Sequence, residues 1–303
     1  MKPTLTQSAV TRIESLTTNQ DQVLAKGEIW IGTQFLDHAG MEDTLDNHFR
    51  LARRLGQEMV CLPVSENPGQ NPGMGYRYFG YDVLIPSLAN RTGFLAVVVD
   101  GPFQRMVNQR GIMDLLVNWI RKKEETARAY VKEQNIVLEL IDRCLEKGVH
   151  AVIMADDLSG EAAPLINPLD LDTVCTPFYV QAVSRIHRAG ILAFLHSCGN
   201  LTRLVPLIKS WNLDGLAAIQ LCNNDIQLLN KELGGIFMAG IDGPLLGTDS
   251  PSPEELDVLV RTVAILTGQK RLILCSSCGL YSREFWIRIQ NIYRYLDRNL
   301  PGL

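Results

Sequence analysis

The sequence has neither a long hydrophobic run nor a large excess of charge of one sign. Its longest uninterrupted apolar run, FLAVVV at 94–99, is far shorter than the roughly 20 residues needed to span a membrane. The net charge of −4 offers no basic footprint for nucleic acid. Residues 1–20 contain no apolar core typical of a signal peptide. We therefore expect a cytoplasmic globular protein with no nucleic-acid or membrane partner.

The cysteines lack the even number and close spacing of a disulfide framework. Seven cysteines are scattered through 303 residues, a pattern typical of reduced thiols or of metal ligands that folding brings together. No GxGxxG sequence follows the first β-like run, so a dinucleotide-binding fold has little support. Repeats of solenoid length and low-complexity segments are also absent from the sequence.

Short apolar runs alternate with segments of helical periodicity along the chain. The β-like runs are EIWIGTQ (28–34), EMVCLPV (58–64), FLAVVVDG (94–101), HAVIMADD (150–157), ILAFLHSCG (191–199), LDGLAAIQ (213–220), GIFMAGID (235–242) and RLILCSSCG (271–279). Eight such units predict an α/β fold, a (β/α)8 TIM barrel. We expect one barrel domain over 1–303 with a short N-terminal extension of about 1–27; an open doubly wound sheet is the structural alternative.

Two helix starts and one long helical region are readable in the sequence. Ser252, with Glu255 three residues later, predicts a capping box, and Ser282 is expected to cap the last helix. The stretch 112–145 has apolar periodicity sufficient for one long helix or two successive ones.

Polar side chains follow nearly every predicted strand. In a (β/α)8 barrel, the carboxyl ends of the strands form the mouth at which chemistry occurs. The expected contributors are Gln34, Glu66, Asp100, Asp156, Asp157, His196, Cys198, Gln220, Asp242, Cys275 and Cys278. We expect Gln34, Glu66, Asp100, Gln220 and Asp242 to contact the substrate.

His196, Cys198 and Cys278 are the sharpest subset of these mouth residues. One imidazole and two thiolates suit Zn²⁺, and three protein ligands leave a fourth position open for a substrate. Cys278 is preferred to Cys275 as the third ligand because Cys275 still lies within the predicted strand. A redox role for the CxxC formed by Cys275 and Cys278 is the alternative.

Asp156 and Asp157 follow the fourth predicted strand as a carboxylate pair. Such a pair can orient a ligand histidine, complete a metal shell or supply a proton, and a helix cap or a structural network is the alternative. The stretch PGQNPGMGYRYFGYD (68–82) is a loop rich in glycine, proline and aromatic residues. Loops of this length are uncommon unless functional, so Tyr76 and Tyr78 are candidates for contact with a flat substrate.

Several segments from about Gly101 onward resemble the uroporphyrinogen decarboxylase superfamily, whose fold is a (β/α)8 barrel. They are DGPF (100–103), ADDLSGEAAPLINPLDLDTVCTPFY (155–179), HRAGILAFLHSCGN (187–200), LDGLAAIQ (213–220), AGIDGPLLGT (239–248) and LCSSCGL (274–280). Porphyrin decarboxylases of this superfamily have an arginine-rich N-terminal segment and an HSDGN sequence. Here no arginine lies between Arg12 and Arg50, and residues 196–200 read HSCGN.

The resemblance extends to the corrinoid-dependent methyltransferase branch, whose HxC…C zinc signature falls on His196, Cys198 and Cys278. It implies transfer of a methyl group between a small molecule, a methoxylated aromatic or a thiol, and a corrinoid cobalt. The chain has no DxHxxG motif, so the corrinoid is expected on a partner protein. Methylase relatives often have a glutamate where this chain has Gln220. A metal-free decarboxylase-like lyase and a non-catalytic zinc-binding barrel remain the alternatives.

Overall fold

The structure is a computed structural model that describes residues 13, 24–71, 75–84, 93–248, 251–268 and 271–300. Eight parallel strands close into a barrel in the order β1-β2-β5-β6-β7-β8-β9-β10. They are β1 (Ala25–Glu28), β2 (Met59–Pro63), β5 (Phe94–Asp100), β6 (Ala151–Ala155), β7 (Leu192–His196), β8 (Gly215–Ala217), β9 (Ile236–Ile241) and β10 (Leu272–Ser276). The predicted (β/α)8 barrel is therefore confirmed.

Helices follow the strands and cover the outside of the barrel. Those of the described ranges are α1 (Thr33–His38), α2 (Leu45–Leu55), α3 (Pro102–Arg110), α4 (Ile112–Arg121), α5 (Lys123–Leu145), α6 (Pro168–Val174), α7 (Thr176–Arg188), α8 (Val205–Ser210), α9 (Ile226–Leu233), α10 (Gly243–Gly247), α11 (Pro253–Gly268) and α12 (Arg283–Asn299). The stretch 112–145 is thus two helices, α4 and α5, which meet at Lys122 (φ −132°, ψ 46°).

The two predicted helix starts are both present. The Ser252 N–H donates to Glu255 Oε2 at 2.8 Å, and the Glu255 N–H donates to Ser252 Oγ at 3.2 Å. These reciprocal bonds are the capping box at the start of α11. Ser282 occupies the N-cap position of α12, although its side chain makes no capping hydrogen bond.

Successive residues of β5 belong to two separate cores. Phe94 and Ala96 pack inside the barrel, whereas Leu95 and Val97 pack between the strands and the helices. Because both faces of such a strand are buried, it has apolar residues at every position. Ile13, from the N-terminal segment, is fully buried against the inner core.

The first strand lies earlier than the sequence predicted. The expected strand at 28–34 is wrong, because β1 ends at Glu28 and α1 starts at Thr33. The apolar residues between them are buried in a connection, in which Ile31 forms an isolated parallel bridge with Leu280. Of the expected N-terminal extension 1–27, residues 25–27 belong to β1, and residues 1–12 and 14–23 lie outside the described residues.

The glycine- and aromatic-rich stretch after β2 contains a small antiparallel hairpin. Its strands are β3 (Gly69–Gln70) and β4 (Arg77–Tyr78), with Gly69 paired to Tyr78. Residues 72–74 lie outside the described residues. Within the ranges that the structure describes, no helix has the length and apolar character needed to cross a membrane.

Gly215, at the start of β8, provides a test of the close packing between β8 and β9. A Cβ added at Gly215 would overlap the carbonyl oxygen of Ile236 on the adjacent strand β9. Backbone cannot move aside as a flexible side chain can, so Gly215→Ala is expected to lower the free energy of unfolding by about 2–3 kcal/mol. Gly247→Ala is the matched control, since an added Cβ there has no neighbour within 4 Å. Urea unfolding measures both, and equal stabilities would contradict the strand packing.

Candidate functional site

A cavity of about 820 Å³ lies at the carboxyl ends of the barrel strands. Strand ends, the connections after them and the β3–β4 hairpin supply its walls. The lining residues are Trp30, Asn67, Pro68, Gly69, Asn71, Tyr76, Tyr78, Asp100, Gln104, Asn108, Ala155, Asp157, His196, Cys198, Gln220, Ser277, Cys278 and Tyr281. This position is where enzymes of the barrel fold bind their substrates.

Asp157, His196 and Cys198 form a cluster of metal-binding side chains in the cavity. One ligand atom from each lies within 4.8 Å of the other two. His196 ends β7 and Cys198 follows two residues later, whereas Asp157 comes from the connection after β6. The Cys198 Sγ lies 3.6 Å from His196 Nε2, and Asp157 Oδ1 accepts the Cys198 N–H at 2.8 Å. Adjacent parallel strands thus bring nitrogen, sulfur and oxygen donors together.

The histidine of this cluster is oriented for ligation by Nε2. His196 Nδ1 lies 2.9 Å from the carbonyl oxygen of Ala217, so Nδ1 carries the proton and donates it to that carbonyl. This leaves the Nε2 lone pair facing Cys198 and Asp157. Burial lowers the pKa of His196, which favours the neutral imidazole. A carbonyl bonded to the other ring nitrogen is the usual support for a metal-binding histidine.

Both cysteines of the cavity hold their protons in the metal-free protein. Burial, followed by the nearby Asp157 carboxylate, raises the pKa of the Cys198 thiol well above its usual range. Burial and the negative charge of Glu28 raise the pKa of the Cys278 thiol to about 11. Only a bound cation would make thiolates the stable form at neutral pH.

Cys278 lines the same cavity but lies outside the three-residue cluster. Among the described residues, the cluster of Asp157, His196 and Cys198 is the one group of three or more such donors within 4.8 Å. The Cys278 Sγ instead contacts the carbonyl oxygen of Gly279 at 3.5 Å. Cys275 does not line the cavity: it is fully buried, with its Sγ 3.8 Å from Glu28 Oε2.

Glu28 fixes the turn that carries Cys278. This fully buried carboxylate accepts the backbone N–H of Ser276 at 3.1 Å and the Ser276 hydroxyl at 2.5 Å. Ser276 Oγ in turn accepts the N–H of Gly279 at 3.0 Å. Tyr293 adds a longer hydrogen bond to Glu28 at 3.4 Å. These bonds connect β1 to the end of β10 on either side of Cys278.

Asp156 is buried behind the cavity and does not line it. Its Oδ1 accepts the N–H of Gln104 in the first turn of α3 at 2.6 Å, and its Oδ2 accepts the Tyr179 hydroxyl at 2.6 Å. Burial raises the pKa of Asp156 to about 7. A Cβ at Gly101 would overlap this carboxylate, so the Gly-Pro turn allows α3 to start against it. Asp156 therefore positions α3, which contributes Gln104 and Asn108 to the cavity.

Four of the predicted substrate contacts line the cavity. Tyr78 donates its hydroxyl hydrogen to Asp100 Oδ2 at 2.6 Å, and the Tyr76 and Tyr78 hydroxyls are 3.3 Å apart. Gln220 Oε1 accepts the N–H of Gly199 at 2.8 Å, in the turn after Cys198. Burial raises the pKa of Asp100, an effect that the Tyr78 hydrogen bond partly offsets.

The other three predicted contacts do not line the cavity. Gln34 is exposed on α1, because the first strand ends earlier than predicted. Glu66 forms an ion pair with Arg105 at 2.6 Å. Asp242 accepts the N–H groups of Leu221 and Cys222 in the turn after β8.

Trp30 and Tyr281 are cavity residues that the sequence analysis did not single out. The Trp30 ring meets the His196 ring edge-on, with centroids 4.6 Å apart. Tyr76 stacks between Trp30 and Tyr281, at centroid distances of 6.1 and 6.3 Å. Trp30 lies two residues after β1, and Tyr281 lies five residues after β10. This position after a strand could have identified both as cavity residues, since neither belongs to a motif.

Comparison with known proteins identifies a family and many similar folds. Residues 78–283 match the family described as uroporphyrinogen decarboxylase (URO-D). No curated protein sequence matches the chain.

Solved structures with the same fold include a methyltransferase and a methionine synthase. A methyltransferase from Methanosarcina mazei superposes with a TM-score of 0.73 at 13% identity, covering 96% of this chain and 98% of that one. A B12-independent methionine synthase from Shewanella sp. W3-18-1 has a TM-score of 0.61 at 11% identity, covering 92% and 98%. At these identities the likeness establishes the shared fold alone.

The buried Glu28 carboxylate predicts a dependence of stability on pH. Burial raises its pKa from 4.5 to about 7, so near pH 6 the folded protein keeps a proton that the unfolded chain has lost. The unfolded state then binds fewer protons, and stability falls as the pH rises through this range. Between pH 5 and 8, wild type should lose about 2.5 kcal/mol relative to Glu28→Gln. Urea unfolding at both pH values tests this, and a constant difference would contradict it.

Proposed function

The chain belongs to the uroporphyrinogen decarboxylase family, and we propose that within it the chain is a zinc-dependent methyltransferase. It would move a methyl group between a small molecule and the cobalt of a separate corrinoid protein. The observation that carries this proposal is the cluster of Asp157, His196 and Cys198 at the barrel mouth. A decarboxylase without metal has no need for an imidazole and a thiol held together on a cavity wall.

The donor set fits zinc better than the harder divalent cations. Imidazole nitrogen and thiolate sulfur are preferred zinc ligands, whereas Mg²⁺ and Ca²⁺ take oxygen ligands. We assign His196, Cys198 and Cys278 as ligands, with Asp157 as the carboxylate that completes or supports the shell. Gln220 is excluded from ligation in this assignment because its amide oxygen already accepts the Gly199 N–H.

Zinc bound there would hold a thiol as its thiolate or act as a Lewis acid on the oxygen of a methyl ether. The protein's own residues prepare the site for either reaction. Burial favours the neutral form of His196, and its bond to the Ala217 carbonyl holds the proton on Nδ1, so the Nε2 lone pair is available for a metal. The Trp30, Tyr76 and Tyr281 rings form an apolar wall that limits water near the metal. Of the two predicted acid residues, Asp157 alone lines the cavity, so proton transfer to a leaving oxygen is assigned to it when its carboxyl group does not ligate the metal.

In this proposal the cobalt is supplied by a separate corrinoid protein. The sequence has no DxHxxG motif, and the cavity opens at the strand ends, where a partner can present a corrinoid to the bound substrate.

The cavity is poorly suited to a porphyrinogen, the substrate of the decarboxylase alternative. The carboxylates of that substrate require cationic partners, and no arginine or lysine is present among the described lining residues. The two charged lining residues, Asp100 and Asp157, would instead repel it.

Metal analysis is the first test. Purified wild type is expected to bind about one zinc per chain, and His196→Ala and Cys198→Ala should lose affinity by more than about 100-fold. Because both thiols are protonated without metal, affinity should rise with pH as thiol protons are released. Cys278→Ser should weaken binding, whereas Cys275→Ser, which changes a thiol outside the cavity, should not. A folded wild type that binds no zinc would refute the proposal.

Methyl transfer is the second test. Zinc-loaded protein should methylate cob(I)alamin from a methoxyarene, or a thiol from methylcob(III)alamin, and His196→Ala should lower the rate by more than about 100-fold. Cys275→Ser should retain the wild-type rate. Zinc binding without either transfer would favour the non-catalytic zinc barrel. Release of CO₂ from uroporphyrinogen by metal-free protein would favour the decarboxylase.

A further inference from the structure

The described residues of the cavity carry negative charge without a compensating cation. Asp100 and Asp157 are its charged residues among those described, and the remaining lining residues are aromatic, neutral polar or apolar apart from the candidate metal ligands. Residues 72–74, which join the described parts of the hairpin region, are Pro, Gly and Met and carry no charge. An anion entering this cavity would meet two carboxylates at short range.

Arg105, whose positive charge lowers the pKa of Asp100, is already paired with two other carboxylates. Arg105 Nε donates to Glu133 at 2.9 Å, and its two terminal nitrogens donate to Glu66 at 3.0 and 2.6 Å. Two carboxylates thus neutralise one guanidinium outside the cavity. Arg105 therefore offers no fork of free donors to an anionic substrate.

Asp100 lines the cavity, and its two carboxylate oxygens are bonded unequally. Its Oδ2 accepts the Tyr78 hydroxyl at 2.6 Å and the Asn108 amide at 3.0 Å. Among the described residues, no donor reaches its other oxygen, Oδ1. Both bonds to Oδ2 stabilise the ionised form and fix the direction of the carboxylate. A carboxylate that lines the cavity in a fixed orientation and has a free oxygen can accept a hydrogen bond from an N–H or O–H group of a ligand.

A bound zinc ion does not reverse the charge of the cavity. The two positive charges of zinc are matched by the thiolates of Cys198 and Cys278, and Asp157 adds a further negative charge. Asp100 then remains a net negative charge beside a centre that is neutral or negative. The loaded site consequently still disfavours anions.

We propose that the small molecule carries an N–H or O–H donor and no anionic group at its end away from the metal, and that Asp100 selects for that end. This inference rests on the proposed function. It assigns an aminoalkyl or hydroxyalkyl thiol, or a methyl ether of equivalent polarity, as the substrate class, and it excludes carboxylated and sulfonated ones. Tyr78 and Asn108 act as positioning residues for the Asp100 carboxylate.

Three thiols that differ mainly at the far end provide the test. Cysteamine, 2-mercaptoethanol and 3-mercaptopropionate end in an ammonium, a hydroxyl and a carboxylate. Their binding to cobalt(II)-loaded protein is followed by the sulfur-to-cobalt charge-transfer absorption, which needs no turnover. Dissociation constants are referred to thiolate concentration, which removes the differences in thiol acidity.

Wild type is expected to bind cysteamine and 2-mercaptoethanol at least about tenfold more tightly than 3-mercaptopropionate. Asp100→Asn should reduce that ratio to within about threefold, since it removes the charge and keeps the shape. Asp225→Asn is the control: it removes the same charge at the exposed N-cap of α9, where asparagine also caps well. The wild-type order alone tests the proposal if Asp100→Asn does not fold.

The outcomes separate this inference from the proposed function. Equal or tighter binding of 3-mercaptopropionate by wild type would overturn the assigned substrate class and leave the metal centre and methyl transfer intact. An unchanged ratio in Asp100→Asn would overturn the role of Asp100. Failure of the protein to bind cobalt or zinc would overturn the proposed function, and this inference with it.

Discussion

The whole site depends on the closure of the barrel by the four-residue strand β1. Gly27 pairs with Met59 of β2, and Ala25 pairs with Ile273 of β10, so β1 joins the two ends of the sheet. Its last residue, Glu28, then bonds to Ser276 at the end of β10. The connection after β1 carries Trp30 to the cavity, and the turn after β10 carries Cys278. The contacts that close the barrel therefore also position Trp30 and Cys278 at the cavity.

Two buried carboxylates, Glu28 and Asp156, hold the segments that line the cavity. Glu28 bonds to the turn around Cys278, and Asp156 bonds to the first turn of α3. Each is fully buried and has no lysine or arginine partner within the described part of the chain, and burial raises the pKa of each to about 7. An unpaired buried carboxyl group costs stability. Their hydrogen bonds to backbone N–H groups fix loops that carry cavity residues, which is a function that an apolar side chain would not perform.

The fold was readable from the sequence because alternating apolar runs and helical periods reflect burial on both faces of each strand. The cluster of His196 and Cys198 was readable because two residues at one strand end must share a location. The position of Gln34 could not be predicted, because the apolar residues 29–31 resemble a strand but are buried in a connection. Asp156 and Asp157 are adjacent in sequence, but Asp157 lines the cavity whereas Asp156 bonds to α3 and to Tyr179, and these tertiary contacts could not be read from the sequence.

The contact between Trp30 and His196 has an optical consequence. The chain has four tryptophans, and Trp30 is the one that lines the cavity, whereas Trp119, Trp211 and Trp286 pack in the outer core. An indole whose ring lies 4.6 Å from that of the candidate ligand histidine senses any change in charge at that imidazole. The protein thus contains its own fluorophore at the mouth of the barrel, and a variant that keeps Trp30 alone would report occupancy of the site through its emission.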